Sequence, residues 1–370
     1  MNKNSIIVGK IYGIPVGIDY SWFLILALVT WSLATNYFPA EYKNWSVATY
    51  WLIGLITALL FLGSVFFHEL AHSLVARRFD VPVRRITLYI FGGISEMEKE
   101  PPTAAAEFWI SISGPLTNIV LGGVSALLAV VFSPVVPAQA LLKYLAYINL
   151  ILGVTNLLPG YPLDGGSVLM AIVWAITRKR HYGVVAATVM GNLIAYALIL
   201  VGTLEVSNGD LWNGLWTVFT GWFLLSAAGG EMRRERLQAQ LSGHRVAEAM
   251  DNSYTTIHPD TTLQTLMDEH ILSSGQRYFI VKQNDRLVGM VTLHALQNVP
   301  KWDWPKTTVG QVMIPLSSLI TTQSDSDLFE ATEEMDRDGV NQLPVVETGQ
   351  IQGILSRADV ISYLRKIQTT

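Results

Sequence analysis

The sequence predicts a polytopic α-helical membrane protein of about six transmembrane helices, with a short membrane-associated β-hairpin, followed by a cytosolic α/β module. Of the 370 residues, 51% are hydrophobic and only 15% are charged, and the mean hydropathy is +0.36. A soluble protein carries about 25% charged residues. Because charged residues are sparse up to Gly230 and frequent after it, the membrane part is expected to comprise residues 1–230.

Six apolar stretches are long enough to cross a bilayer as helices, since each approaches the ~20 residues required. They lie at about 17–38, 50–76, 104–132, 139–163, 183–204 and 211–229. One set of the short loops between them carries nearly all of the Lys and Arg, whereas the opposite set carries only Lys43 and Lys143. By the positive-inside rule, both termini are expected to be cytosolic, with the protein in the plasma or inner membrane.

The segment between the second and third spans, residues 81–98, alternates β-branched and aromatic residues around Gly92 and Gly93. This pattern predicts a short hairpin on the cytosolic side. The free edge of such a hairpin could bind an extended peptide through main-chain hydrogen bonds. A plain amphipathic connector is an equally good interpretation of the same pattern.

Charge and cysteine content exclude two kinds of site. The net charge of -4 and the lack of a basic arm argue against a nucleic-acid partner, whose phosphates require a basic face. The chain has no cysteine, which excludes disulfides, thiolate ligands and cysteine nucleophiles. Any bound metal must therefore have His, Asp or Glu ligands.

The second span contains the sequence His68-Glu69-Leu70-Ala71-His72, an HExxH motif. On a helix the two histidines lie on one face one turn apart, so that both imidazoles can reach one zinc ion, and Glu69 can reach a water beside it. Ionisable residues are costly in hydrocarbon unless they face an interior and bind a partner. Two hydrogen-bonded core histidines are the structural alternative.

A catalytic zinc ion needs a third protein ligand, and Asp164 is the candidate. It lies in a segment, residues 156–166, that two prolines and three glycines interrupt at membrane depth. Such breaks occur only against protein or a wet cavity. The other acidic candidates, Asp19 and Glu107, are expected at span ends where water or headgroups solvate them.

Three motifs in this order resemble the site-2 protease family of intramembrane zinc metalloproteases. They are the HExxH motif, Gly114-Pro115-Leu116-Thr117-Asn118 in the third span, and the segment from Asn156 to Asp164-Gly165. The resemblance implies one zinc ion bound by His68, His72 and Asp164, with Glu69 as the general base. It also implies that Asn118 and Asn156 orient the substrate or the oxyanion, although either could instead form a helix–helix hydrogen bond.

The region after residue 243 contains two copies of one pattern. TIHPDTTLQTLM, from Thr256, is repeated as TTQSDSDLFEATEEM, from Thr321. Each copy predicts a short strand, a helix, two strands and a second helix, and each needs its twin to cover an open apolar face. The linker is expected at 231–243 and the repeats at 244–300 and 301–370.

This repeat resembles the cystathionine-β-synthase (CBS) domain pair, which often binds adenosine nucleotides. The resemblance implies ribose contacts from Ser356 and Asp359; in the first repeat Thr292 is followed by Ala295, so at most one such site is expected. A CBS pair that only forms a homodimer is the alternative. Within the site-2 protease family, the chain is similar to the subgroup that carries CBS domains.

The predicted function is therefore intramembrane hydrolysis of peptide bonds in or near transmembrane segments of single-span or hairpin membrane proteins, with possible regulation by nucleotide. Two alternatives are a catalytically silent membrane scaffold and a CBS-gated transporter. Glu69 distinguishes them, because only a hydrolase needs an acid placed to activate water.

Overall fold

The computed structural model of the chain describes residues 5–90, 92–272, 276, 278–284, 286–348 and 350–368. These residues divide into two compact units, Met1–Glu235 and Arg236–Thr370. The first unit is built mainly of long apolar helices, and the second is a mixed α/β structure.

The helices of the first unit are α1 (Tyr20–Ser32), α2 (Phe38–Glu41), α3 (Val47–Arg78), α4 (Ala104–Val131), α5 (Val136–Asn156), α6 (Asp164–Thr177) and α7 (Arg180–Ser207), with a π-helical turn, Leu33–Tyr37, joining α1 to α2. A further helix, α8 (Leu211–Leu241), begins in this unit. Five helical stretches are long and apolar enough to cross a membrane within the described ranges: Tyr20–Glu41, α3, α4, α5 and α7. The expectation of a multi-pass membrane protein is confirmed by them.

Two predicted spans differ from the helices observed. The fourth was expected over 139–163, but α5 ends at Asn156 and α6 begins at Asp164, so the far boundary was wrong. Pro159 and Pro162 interrupt the helix because proline lacks the backbone N–H and its ring clashes with the preceding turn. The sixth, 211–229, lies within α8, which is not among the five apolar helices, and its crossing of the membrane stays a prediction.

A four-stranded sheet accompanies these helices, formed by β1 (Ser5–Ile11), β2 (Ile14–Asp19), β3 (Val83–Tyr89) and β4 (Gly92–Met97) in that spatial order. Strands β3 and β4 are antiparallel, which confirms the hairpin predicted at 81–98. The sequence analysis missed β1 and β2, which form a second hairpin around Tyr12 and Gly13, both at positive φ. Strand β2 pairs in parallel with β3, so β4 lies at one edge of the sheet.

Helices α3, α4 and α5 form the centre of the first unit. Ser46 caps α3, its hydroxyl accepting a hydrogen bond from the Thr49 N–H, and Thr103 caps α4 in the same way through the Ala106 N–H. The buried positions of α3 include Ser64, His68, His72 and Ser73, whereas many of its Leu, Ile and Trp side chains are exposed on the protein surface. Polar residues face the protein interior and apolar residues face outward, which is the pattern expected of a membrane helix with one face towards lipid.

The second unit contains the helices α9 (Val246–Ala249), α10 (Leu263–Thr265, continued by a π-helical stretch Leu266–Ile271), α11 (Leu293–Gln297), α12 (Val309–Val312), α13 (Leu328–Asp338) and α14 (Arg357–Gln368). Its strands are β5 (Thr256–Ile257), β6 (Tyr278–Gln283), β7 (Arg286–Thr292), β8 (Ile314–Pro315), β9 (Gln342–Glu347) and β10 (Gln350–Ser356). One sheet has the order β5-β6-β7-β8, and the other pairs β9 with β10.

The two repeats predicted in this unit exchange their leading segments. Val246, near the start of the first repeat, is buried in the core around Leu328 and Leu343 of the second. Conversely, Val309, near the start of the second repeat, is buried in the core around Leu263 of the first. The short strand expected near Thr321 is reduced to a single bridge in the second copy. The exchange makes the core of each copy depend on its twin.

Candidate metal and catalytic site

Helix α3 places the two HExxH histidines side by side. His68 and His72 are each 7% exposed, and their Nε2 atoms lie 3.1 Å apart. One helical turn separates the residues, so their side chains project from the same face. The sequence prediction that both imidazoles reach a common point is thus supported by the geometry.

Asp164 joins the two histidines from the first turn of α6. Its Oδ2 lies 3.1 Å from His68 Nε2, and its Oδ1 lies 3.5 Å from His72 Nε2. Within the described residues these three side chains form a group that could hold a metal ion, with ligand atoms within 4.8 Å of one another. Two ligand atoms on a tetrahedral zinc ion are about 3.3 Å apart for bonds of about 2.0 Å, which matches these separations.

Small residues allow the start of α6 to reach this position. A Cβ at Gly165 would lie 2.3 Å from the Leu158 carbonyl oxygen, and one at Gly166 would lie 2.4 Å from the Tyr161 nitrogen. Any side chain at either position would push α6 away from the loop before it. The pair of glycines after Asp164 therefore sets the depth at which the carboxylate meets the histidines.

The Ile110 carbonyl orients the His72 ring towards the group. The Nδ1 of His72 lies 2.7 Å from the carbonyl oxygen of Ile110, and because a carbonyl can only accept, this nitrogen carries the hydrogen. The Nε2 of a neutral His72 then presents a lone pair towards His68 and the Asp164 carboxylate. Oδ2 of Asp164 is buried and has no hydrogen-bond partner among the described residues, and an unpartnered buried polar atom is costly. A divalent cation would bind the lone pairs of His72 Nε2 and of the Asp164 carboxylate.

Helix α4 closes one side of the group through Gly114. A Cβ at Gly114 would lie 2.3 Å from His72 Nε2 and 2.6 Å from His68 Nε2. The backbone of α4 is therefore so close to the two imidazoles that any side chain would occupy the place of the metal. This contact explains why the Gly-Pro-Leu-Thr-Asn motif of the third span belongs to the same site.

Strand β4 lies against Glu69, the residue between the histidines. A Cβ at Gly93 would lie 2.3 Å from Glu69 Cγ. Two residues further along the strand, the Ser95 hydroxyl donates to Oε2 of Glu69 at 2.8 Å. Sequence reasoning missed Ser95, because only the register of the hairpin brings it to the carboxylate; the signal in the sequence was the neighbouring Gly92-Gly93 pair.

The two asparagines predicted to contact substrate differ in position. Asn118 lies one turn beyond Gly114 on α4, is 1% exposed, and its Oδ1 has no hydrogen-bond partner in the described part of the chain. Asn156 is the last residue of α5 and is partly exposed. Asn149 on α5, which the sequence analysis did not single out, is also 1% exposed with an unpartnered Oδ1.

The two acidic residues set aside from the sequence lie outside the metal group. Asp19 caps α1, accepting from the Ser21 N–H at 2.9 Å and the Ser21 hydroxyl at 2.6 Å. Glu107 was expected to be solvated at a span end, which is wrong, because it is 9% exposed. It lies within α4, and the hydroxyl of Ser111, one turn further on, points to its carboxylate at 3.4 Å.

In the second unit, Ser356 and Asp359 contact each other directly. The Ser356 hydroxyl and N–H donate to Asp359 Oδ2 at 2.5 and 2.9 Å, and the Asp359 N–H donates back to Ser356 Oγ at 3.2 Å. This reciprocal pattern is a capping box at the start of α14. Burial, together with the charges of Asp359 and Asp251, raises the pKa of Tyr278 to about 12. The phenol of Tyr278 therefore stays protonated beside the two carboxylates.

Comparison with known proteins assigns both units. Residues 56–141 and 133–201 match Peptidase family M50, and residues 246–299 and 309–366 match the CBS domain. The chain is 34% identical to sll0528 of Synechocystis over 98% of its own length and 96% of that protein, and 34% identical to Rip3 of Mycobacterium tuberculosis over 97% and 92%. The given names of both place them among the zinc metalloproteases.

An archaeal relative and a solved structure are also similar to this chain. Zinc metalloprotease MJ0392 of Methanocaldococcus jannaschii is 27% identical over 96% of this chain and 95% of that protein. The solved site-2 protease from the same organism has 26% identity and a TM-score of 0.41, covering 62% of this chain and 95% of that one. With full-length relatives above 30% identity, the chain belongs to peptidase family M50, as a site-2-type zinc metalloprotease that carries a C-terminal pair of CBS domains.

Proposed function

We propose that this protein is an intramembrane endopeptidase that hydrolyses peptide bonds in or near the transmembrane segments of membrane proteins. The observation that carries the proposal is the meeting of His68, His72 and Asp164, three possible metal ligands from two helices distant in sequence, whose ligand atoms lie within 4.8 Å of one another. Zinc is the metal that the family implies, and the three side chains fit a site with one position left for water.

In this mechanism Glu69 and His72 of α3 have separate roles. A bound zinc ion would polarise the scissile carbonyl and lower the pKa of a water towards ~7. The Glu69 carboxylate takes the proton of the attacking water and then delivers it to the leaving amine. The Nδ1–H of His72 stays on the Ile110 carbonyl, which fixes the ring so that Nε2 points into the site.

The depth of the site follows from its position on α3. His68 precedes Arg77 by nine residues, about 14 Å at 1.5 Å per residue. With both termini in the cytosol of a plasma or inner membrane, this distance puts hydrolysis inside the bilayer on its cytosolic side. A single-span or hairpin substrate would thus release its cytosolic part.

The peptide is proposed to bind along β4. A peptide bond inside a helix is shielded by its own hydrogen bonds, so the substrate must be extended before hydrolysis. Strand β4 is an edge of its sheet and lies against Glu69, whereas β3 is paired on both sides. An added strand beside β4 would bring an extended backbone next to the general base.

Asn118 and Asn156 are proposed to contact the substrate. The buried Oδ1 of Asn118 has no partner in the described structure, so its side chain is free to bond to an unwound peptide or to turn its amide towards the oxyanion. Asn156 ends α5, just before the loop that leads to Asp164, and it would contact the substrate from that position. Removing either is expected to lower turnover while zinc stays bound.

The CBS pair is proposed to bind an adenosine nucleotide through Ser356 and Asp359 and to hold two chains together as a homodimer. Tyr278 of the first repeat lies within electrostatic range of Asp359. A nucleotide would regulate proteolysis only if it binds one state of the protein better than another. The oligomeric state of the detergent-solubilised chain, by mass, checks the dimer.

The experiment uses synthetic span peptides of about 20 Leu and Ala residues. Each contains one Asn-Gly-Pro break, at one of three depths, between a fluorophore and a quencher. The wild type is expected to cleave at least one of them, and a zinc chelator should stop it. Glu69→Gln is expected to retain zinc and lose 10²–10⁴-fold in rate, roughly the contribution of a general base. Cleavage of none by the wild type would contradict the proposal and favour a silent scaffold or a transporter. Equal cleavage by Glu69→Gln would contradict the proposed mechanism, because the activity would not depend on the general base.

A further inference from the structure

The Glu69 carboxylate is held by a chain of two serine hydroxyls that comes from two different elements. Ser73 lies one turn beyond Glu69 on α3 and is 0% exposed. Its hydroxyl donates to Ser95 Oγ on β4 at 3.1 Å, and Ser95 Oγ lies 2.8 Å from Glu69 Oε2. Among the described hydrogen bonds, neither serine bonds to His68, His72 or Asp164.

The direction of these hydrogen bonds can be derived. Ser95 Oγ is within reach of two acceptors, Glu69 Oε2 at 2.8 Å and the Glu69 carbonyl oxygen at 3.1 Å, but it has one hydrogen. Because Ser73 already donates to it, Ser95 must donate onward. A carboxylate is the stronger acceptor and the closer one, so the hydrogen goes to Oε2.

The strand is shaped to deliver this hydroxyl. Gly93 and Ser95 are two residues apart and so face the same side of β4, towards α3. The missing side chain at Gly93, where a Cβ would lie 2.3 Å from Glu69 Cγ, lets the strand approach closely enough for Ser95 to reach the carboxylate. Ile94, between them, faces the other side and is 49% exposed.

We propose that Ser95, oriented by Ser73, is a positioning residue for the general base. Its hydrogen bond fixes Oε2, so that Oε1 of Glu69 is the oxygen that takes the proton from the attacking water. This inference rests on the proposed function, in which Glu69 is the base and the peptide binds along β4. It adds that the strand receiving the peptide also sets the rotamer of the base.

The test measures kcat and KM with the cleaved span peptide, together with zinc per chain and Tm. Ser95→Ala is expected to lower kcat by 10–100-fold, the usual cost of losing a partner that orients a catalytic group, with KM, zinc and Tm unchanged. Ser95→Thr keeps the hydroxyl and should recover most of the rate. Ser73→Ala, which leaves β4 untouched, should lower kcat in the same direction.

A matched control lies on the same helix. The buried Ser64 hydroxyl bonds only to the Phe61 carbonyl of its own helix among the hydrogen bonds described, at 2.6 Å, and Ser64→Ala should leave kcat unchanged. The double variant Ser73→Ala/Ser95→Ala should be no slower than Ser95→Ala, because both act through one hydrogen bond.

Three outcomes would overturn the inference while leaving the proposed function intact. They are a wild-type kcat in Ser95→Ala, a fall in kcat that follows a fall in zinc or Tm, and a rise in KM alone. In each of them the wild type still cleaves the peptide and Glu69→Gln does not. Loss of that difference between the wild type and Glu69→Gln would instead contradict the proposed function itself.

Discussion

The metal group of the first unit and the Ser356–Asp359 pair of the second differ in how far the protein satisfies its own polar atoms. His68 and His72 are buried beside Asp164, whose Oδ2 has no hydrogen-bond partner among the described residues. Ser356 and Asp359 instead satisfy each other as a helix cap. A pattern of residues is stronger support for a ligand when the fold leaves those residues unsatisfied.

The largest effect is expected from Gly114→Ala, which adds one methyl group to the metal group. Its Cβ would lie 2.3 Å from His72 Nε2, so the imidazoles must move out of position. Zinc binding and peptide cleavage are both expected to be lost, as measured by metal content and by the span-peptide assay. Gly123→Ala on the same helix, where a Cβ would meet no atom within 4 Å, is the control and should retain both. Full zinc content in Gly114→Ala would show that α4 does not border the site.

A smaller loss is expected from Gly93→Ala, which acts on the base and leaves the metal group intact. The added Cβ would displace the Glu69 side chain and separate it from Ser95. We expect a fall in turnover on the order of 10–100-fold with zinc retained. A variant that loses zinc in proportion to rate would mean that β4 supports the histidines as well, and would weaken the distinction drawn between them and Glu69.

Cross-linking tests whether the peptide binds at β4, and the chain is suited to it because it has no cysteine. In Glu69→Gln, Ile94→Cys is expected to form a disulfide with a span peptide that carries one cysteine beside its break. Ile6→Cys on β1, the opposite edge of the sheet, has matched exposure, 48% against 49%, and should remain unlinked. Equal linking at both positions would contradict binding along β4.

Proline substitution of Ile86 and Leu88, which the hairpin pattern alone suggests as a test, is not informative. Both residues lie on β3, which is paired to β2 on one side and to β4 on the other. Ile86 is 0% exposed, so proline there would break the sheet itself. The binding edge has to be tested on β4.

For the second unit, Asp359→Ala separates the structural role of this pair from a ligand role. Loss of the cap is expected to lower the free energy of unfolding by about 1 kcal/mol, which is measured as a lower Tm of that unit in the full chain. AMP or ATP is expected to raise the Tm of the wild type and not of the variant. A Tm that rises equally in both proteins, or in neither, would leave Ser356 and Asp359 with the capping role alone.

The smallest effect is a pH dependence at the start of the same unit. Hydrogen bonds from the Tyr363 hydroxyl and the Arg245 N–H lower the pKa of Glu248 to about 2. A lowered pKa stabilises the folded state above the unfolded value of about 4.3, and this stability is lost as the pH falls from there towards 2. Tyr363→Phe should reduce the fall in Tm between pH 5 and pH 3. If Tm falls equally in both proteins over this pH range, Glu248 does not contribute to the pH dependence.

The sequence predicted those parts of the site that are local or that interrupt a regular pattern. His68 and His72 are fixed by helical spacing, and Asp164 was found because prolines and glycines break a span at that point. Ser95 could not be found in this way, since the register between β3 and β4 brings it to Glu69. The burial of Glu107 was missed for a similar reason, because only tertiary packing covers that turn of α4.

In the fold, the long apolar helices and the repeat of the second unit were predictable from hydropathy and self-similarity. Strands β1 and β2 were not, because a short apolar hairpin just before a span is hard to separate from the span itself. The exchange of Val246 and Val309 between repeats depends on packing between distant segments. The hydrophobic periodicity within a repeat does not predict this exchange.

The most direct test of the central claim is the metal content of the detergent-purified chain, wild type beside Asp164→Ala. About one zinc ion per wild-type chain is expected, with a sharp loss in the variant, because Asp164, the proposed third ligand, comes from a different helix, α6. Glu107→Ala, which removes a buried carboxylate outside the group, should keep its zinc. Equal zinc in the wild type and Asp164→Ala, or none in either, would contradict the account.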